Sequence, residues 1–175
     1  MSPRTALQPI SLVEDWREQL RTAHSDGASL LRALGLSPVE VGYSEAACRD
    51  FRLRVPQAFV QRMRYGDPHD PLLRQVLATE AETLPAAGFN RDPTGEVGGA
   101  IARSGIIHKY HGRLLLVVAS GCAINCRYCF RRHFPYGEHR NSRGEWHEVL
   151  NYVREDTSIR EVILSGGDPL VAEDE

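Results

Sequence analysis

The chain has 175 residues, enough for about one domain, and sets 21 Lys and Arg against 23 Asp and Glu for a net charge of −2. With 42% hydrophobic and 25% charged residues, its profile is that of an ordinary globular protein, not a disordered or polyanion-binding one. Met1-Ser-Pro-Arg-Thr5 has no apolar signal core, and no stretch approaches the roughly 18 apolar residues of a membrane helix, so a cytoplasmic location with no membrane or nucleic-acid partner is expected.

In chain order, Ser11-Leu-Val-Glu14 has the capping-box spacing and predicts a helix through Trp16 and Leu20. Leu30, Leu31 and Leu34 mark a second helix ending near Gly35, and Ser44-Glu45 opens a third. Pro56 to Tyr65 reads as a helix closed by Gly66, with Phe59, Val60 and Met63 on one face. Asp70-Pro71 caps the next, through Leu73, Val76 and Leu77. Amphipathic stripes of this kind are more often core than docking face, so these helices are expected to form a cap without chemistry of its own. Cys48, beside Ala46, Ala47 and Phe51, reads as a small buried hydrophobe. Leu84 to Gly105 is rich in Gly, Pro and Asp and reads as a loop.

The pattern then changes. Ile106 to Tyr110 predicts a short strand, His111-Gly112 a turn, and Leu114-Leu-Leu-Val-Val-Ala119 an apolar strand. Directly after it comes Cys122-Ala-Ile-Asn-Cys126-Arg-Tyr-Cys129. Three thiols this close read as a metal or cluster site, because thiolates ligate soft metals and iron–sulfur clusters. Three assignments stay open on the residues alone. They are a four-iron cluster with one iron that no cysteine holds, a Cys3His zinc site completed by His133, and a disulfide with a spare thiol. Farther on, Trp146, Val149, Leu150 and Val153 recur at helical spacing, and Arg160-Glu-Val-Ile-Leu164 predicts a short buried strand. Ser165-Gly-Gly-Asp168-Pro-Leu170 follows; its glycines allow positive φ and close backbone approach, which would serve a ligand loop or an ordinary turn equally. Strand, helix, strand implies a parallel βαβ unit with both loops at the carboxyl ends of neighbouring strands.

The stretch Gly121 through Tyr136, Gly-Cys-Ala-Ile-Asn-Cys-Arg-Tyr-Cys-Phe-Arg-Arg-His-Phe-Pro-Tyr, resembles the CxxxCxxC signature of radical S-adenosylmethionine (SAM) enzymes. Within them it is most similar to the lysine 2,3-aminomutase family, in its branch serving elongation factor P. The similarity extends to Leu53-Arg-Val-Pro56, Asp70-Pro-Leu-Leu-Arg-Gln-Val-Leu77 and His108-Lys-Tyr-His111, and so covers most of the chain from about Leu53.

The resemblance implies roles. Cys122, Cys126 and Cys129 would hold a 4Fe-4S cluster, and Gly166, Gly167 and Asp168 would contact SAM. Tyr128 would lie against the SAM adenine, with plain loop packing as its alternative. Arg131 would receive the α-carboxylate of L-lysine, a task suited to a planar fork. Tyr110 and Arg113 would help hold pyridoxal 5′-phosphate; a solvated surface position is the alternative for Arg113. The implied reaction moves the 2-amino group of lysine to carbon 3, with an external electron donor, and a partner ligase attaches the β-lysine to elongation factor P. The implied fold is α/β: a helical region and connecting loop over residues 1–105, then residues 106–175 as the first strand–helix–strand of a radical SAM (β/α) barrel, incomplete. The family continues beyond the equivalent of Glu175, and Lys109, the single lysine of the chain, does not match the family's Schiff-base lysine. An N-terminal fragment, poorly soluble and inactive alone, is therefore expected, with a homo-oligomer among the open states. The alternatives are a related radical SAM aminomutase acting on free lysine or another amino acid and, in a different class, a non-catalytic zinc-binding or interaction module.

Overall fold

The structure, a computed structural model, describes residues 15–96, 100–103, 105–139 and 146–172. It divides into two compact units, Met1–Ala86 with Ala123–Cys129, and Ala87–Cys122 with Phe130–Glu175.

The first unit is built from short helices: α1 (Trp16–Arg21), α2 (Gly27–Ala33), α3 (Glu45–Asp50), α4 (Gln57–Val60), α5 (Pro71–Val76) and a 3-10 turn at Glu80–Thr83. Helices of this length are marginal alone and need caps and a shared core. Ser44 caps α3 by accepting from Ala47 N at 3.2 Å. The buried Asp70 carboxylate accepts from Leu72 N and Leu73 N, both at 2.9 Å, and from Arg64 N at 3.1 Å. Leu30, Leu31, Leu53, Val55, Leu73 and Val76 are essentially excluded from water; each such burial contributes about 1.5–3 kcal/mol. Cys48 belongs to this core, as its neighbours predict. Tyr43 packs against the core, and burial, reinforced by Cys48 and Asp26, pushes its phenol up to about 12.

Two expectations for this unit change. The Ser11–Glu14 box lies outside the described residues, and Asp15 is the cap of α1, accepting from Arg17 N at 3.0 Å. The helix expected from Pro56 to Tyr65 stops at Val60. Beyond it the bonds tighten to Arg62 N→Phe59 O and Met63 N→Val60 O, and Arg64 N turns to the Asp70 carboxylate instead of continuing the helical ladder.

The second unit holds a four-stranded sheet in the order β1 (Ile101–Arg103), β2 (Ile106–Tyr110), β3 (Arg113–Ala119), β4 (Glu161–Gly166). β1–β2 and β2–β3 are antiparallel, whereas β3–β4 is parallel, joined through α6 (Trp146–Glu155). Leu114, Leu116 and Val118 alternate onto one face with Val149 and Trp146 of α6, while Leu115 and Val117 meet Ile107 and Phe134 on the other. Part of the expected loop before Gly105 is thus strand β1, paired antiparallel with β2 with a register shift between Ile101 and Arg103. β4 is also not the buried strand its apolar run predicts. It is an outer strand of the sheet, and Val162, Ile163 and Leu164 are 41%, 36% and 59% exposed. No helix among the described residues is long and apolar enough to cross a membrane.

Candidate functional site

In the helical unit, Ala123–Cys129 has no helix or strand of its own and is held by its neighbours. Ile124 packs on the core. Asn125 donates its backbone N–H to Arg54 O at 3.1 Å and its amide nitrogen to Arg52 O at 2.9 Å. Arg127 N donates to Gln75 O at 2.7 Å, and Cys129 N donates to Cys126 O at 3.1 Å, so Cys126 and Cys129 flank one tight turn. Between them the Arg127 guanidinium is buried. It donates through Nε and Nη2 to the Glu82 carboxylate, at 3.0 and 2.6 Å at closest, and to the carbonyls of Ala47 and Phe51. Tyr128 points outward, 70% exposed, with its hydroxyl 3.4 Å from Gln75 Oε1. Hydrogen bonding and charge at the Cys126 thiol raise its phenol above the ordinary tyrosine value.

In the sheet unit the carboxyl ends of β3 and β4 are laced backbone to backbone. Gly167 N donates to Ala119 O at 2.7 Å and Asp168 N to Gly121 O at 2.9 Å, next to Cys122. The glycines are what allow it. Gly166 has φ +119° and a Cβ there would stand 2.2 Å from Ala119 O, while a Cβ on Gly167 would stand 2.3 Å from Gly121 O. Asp168 turns its carboxylate back to Leu170 N at 3.0 Å, capping the turn at Pro169–Val171. Arg131 is buried and donates through Nε and Nη2 to the two oxygens of Glu96, at 2.7 and 2.8 Å, and through Nη1 to Ser165 Oγ at 2.9 Å. Arg131 and the Gly166–Asp168 loop therefore meet at the end of β4.

Tyr110 and Arg113 are not brought there. They pair at the β2–β3 turn, at the amino end of seven-residue β3, roughly 20 Å from its carboxyl end at about 3.3 Å per residue. The Arg113 guanidinium pairs with Glu161, and the Lys109 ammonium bonds Thr94 O.

Glu82, Glu96, Ser165 and Gln75 are not among the residues the sequence flags. Glu82 had a local signal of its own, the T-x-x-E pattern of Thr79 to Glu82, which forms a capping box, while Ser165 and Gln75 fall inside quoted motifs without being given a role. None of the four cysteines is in a disulfide. Among the described residues no three His, Cys, Asp or Glu side chains stand in the arrangement of a single-ion site. The donor chemistry of three thiols, all partly buried and accessible, fits a cluster, whose thiolates bind separate irons.

Residues 111–175 match the model of a 4Fe-4S single cluster domain, which puts this part of the chain in the class of iron–sulfur cluster domains. The chain is 47% identical over 162 residues, 92% of its length, to L-lysine 2,3-aminomutase of Escherichia coli (strain K12). It is 46% identical over 161 residues to L-lysine 2,3-aminomutase of Haemophilus influenzae (strain ATCC 51907 / DSM 11121 / KW20 / Rd), and 43% identical over 162 residues to that of Buchnera aphidicola subsp. Baizongia pistaciae (strain Bp), each again covering 92% of the chain. The chain belongs to the radical SAM lysine 2,3-aminomutase family. It spans about half the length of these curated relatives, 47% in each case.

Proposed function

We propose that the protein is a SAM-dependent isomerase that moves the 2-amino group of L-lysine to carbon 3, in the branch that supplies β-lysine for elongation factor P. The observation that carries this reading is the three-thiol loop within a matched 4Fe-4S domain. When bound, the cluster and SAM supply one-electron chemistry from an external donor that no protein side chain provides.

This chain's residues bind and orient. Cys122, Cys126 and Cys129 are the cluster ligands. The Gly166–Asp168 turn at the end of β4 is the segment we assign to SAM, and the outward ring of Tyr128 offers a stacking face for its adenine. Arg131 receives the lysine carboxylate; because Glu96 occupies its Nε/Nη2 edge and Ser165 its Nη1, the substrate would have to displace one of them from the guanidinium. The sheet unit begins the barrel, with the boundary at Ala87 rather than 105 and strand β1 on its side, and the helical unit supplies the region before it. The described residues do not fit a pyridoxal phosphate site, since Arg113 is held by Glu161 and Lys109 by Thr94, so no step is assigned to that group here.

Anaerobic reconstitution with iron and sulfide tests the reading. Brown protein with about four irons and four sulfides is expected, with an electron paramagnetic resonance signal perturbed by SAM, and Cys126→Ala should take up no cluster. Colourless protein with one tight zinc would reject it in favour of the zinc module. For the branch, deleting the gene should remove the β-lysyl mass increment from elongation factor P; an unchanged mass would leave an aminomutase of free lysine or another amino acid.

A further inference from the structure

We propose that the Arg127–Glu82 pair is a positioning device for the cluster loop: the helical unit, through this pair, fixes the Cys126–Cys129 turn in the geometry in which its thiolates hold iron. The proposal rests on the cluster reading above. It changes the role of the helical unit from cap to scaffold.

Arg127 lies inside the cysteine motif, one residue after Cys126 and two before Cys129, yet its guanidinium is directed into the helical unit and is only 7% exposed. Its partners come from two places. The carbonyls of Ala47 and Phe51 belong to the last turn and cap of α3, where a helix concentrates partial negative charge; Ala47 O also accepts from Phe51 N at 3.1 Å, so Arg127 adds a second donor there. The Glu82 carboxylate belongs to the 3-10 turn, and it is held independently of Arg127, because Thr79 N donates to its Oε1 at 3.2 Å. The ring of Phe51 lies under the guanidinium, 5.2 Å from ring centroid to Cζ. The acceptors are thus arranged by local structure before the loop arrives.

The backbone on either side is tied as well, at Asn125 to Arg52 and Arg54, and at Arg127 to Gln75. Cys126 sits between these ties and Cys129 closes the turn onto its carbonyl. A loop without regular structure would otherwise lose conformational freedom when its thiolates converge on iron; ordering it beforehand raises affinity. Outer-shell partners of this kind typically change metal affinity or activity by about 10–100-fold. An arginine is required because two edges of the fork are used at once, which an ammonium cannot reproduce.

The test compares wild type, Glu82→Gln and Arg127→Lys as full-length protein after anaerobic reconstitution. Each is held at a temperature where circular dichroism shows it folded. Both variants should assemble a cluster but release iron to a chelator at least about 10-fold faster than wild type. Their reduced-cluster electron paramagnetic resonance lines should broaden, because the turn now samples several arrangements. Glu82→Gln should also raise the midpoint potential, since it removes a negative charge close to a ligand, whereas Arg127→Lys, which keeps the charge, should move it less. Wild-type release rates and line shapes in both variants, with a normal wild-type cluster, overturn the positioning role alone. Wild-type protein that takes up no iron overturns the cluster reading and this proposal with it. If Arg127→Lys does not fold, the near-isosteric Glu82→Gln decides on its own.

Discussion

Arg127 and Arg131 are four residues apart in the chain, and each ends in a buried two-pronged pair with a glutamate, yet their surroundings differ in kind. In the helical unit Arg127 completes its contacts on main-chain carbonyls of α3 and on a carboxylate fixed by a capping box. In the sheet unit Arg131 adds a serine hydroxyl at the end of β4, a group that can rotate, to the carboxylate of Glu96, which itself lies in no helix or strand. The same side chain in the same motif is therefore framed largely by main chain in one unit and by side chains in the other.

The contrast can be broken by mutation. Glu96→Ala removes the carboxylate bound to a buried guanidinium and should destabilise the sheet unit by about 3–5 kcal/mol, read by residue-resolved hydrogen exchange. Glu82→Ala should cost less in the helical unit, about 2–3 kcal/mol, because Arg127 keeps two carbonyls and the Glu82 side chain is 18% exposed against 10% for Glu96. Equal losses would mean that the two frames are energetically alike. Asp70→Ala removes an acceptor serving three backbone N–H groups, and should lower helical-unit stability by about 1–2 kcal/mol, seen in urea unfolding, with no change in sheet-unit exchange. The smallest effect, nil at neutral pH, concerns Tyr43. Its folded phenol ionises near 12 against about 10 unfolded, so the folded state keeps a proton that the unfolded state loses. Stability should fall as pH rises from about 10 to about 12, and Tyr43→Phe should flatten that slope. An unchanged alkaline slope would show that burial around Tyr43 is not what holds its proton.

Local chemistry was legible in the sequence, and distant pairing was not. The caps at Ser44 and Asp70, the stop at Gly35, strand β3, helix α6 and the thiol run follow from spacing and residue type within a few positions. The Arg127–Glu82 and Arg131–Glu96 pairs span 45 and 35 residues, and no periodicity connects their members. The stripe Phe59, Val60 and Met63 was read as helix because apolar spacing does not register the Asp70 carboxylate that captures Arg64 N. The apolar run of β4 was read as buried because composition reports what a strand can bury, not what lies against it. Gly166 and Gly167 were visible as unusual, but their spacing could not say which backbone they must approach.

That approach has a consequence for how variation at these positions is to be interpreted. A side chain at Gly167 would collide with the Gly121 carbonyl, and one at Gly166 with the Ala119 carbonyl, whether or not any ligand is near. In a saturation library sorted only for folding, both codons should return glycine alone. Invariance there is thus owed to the carboxyl edge of the sheet before it is owed to a cofactor. Asp168 lends itself better as a reporter of ligand binding, since its side chain only caps an exposed turn and the sheet would tolerate its loss.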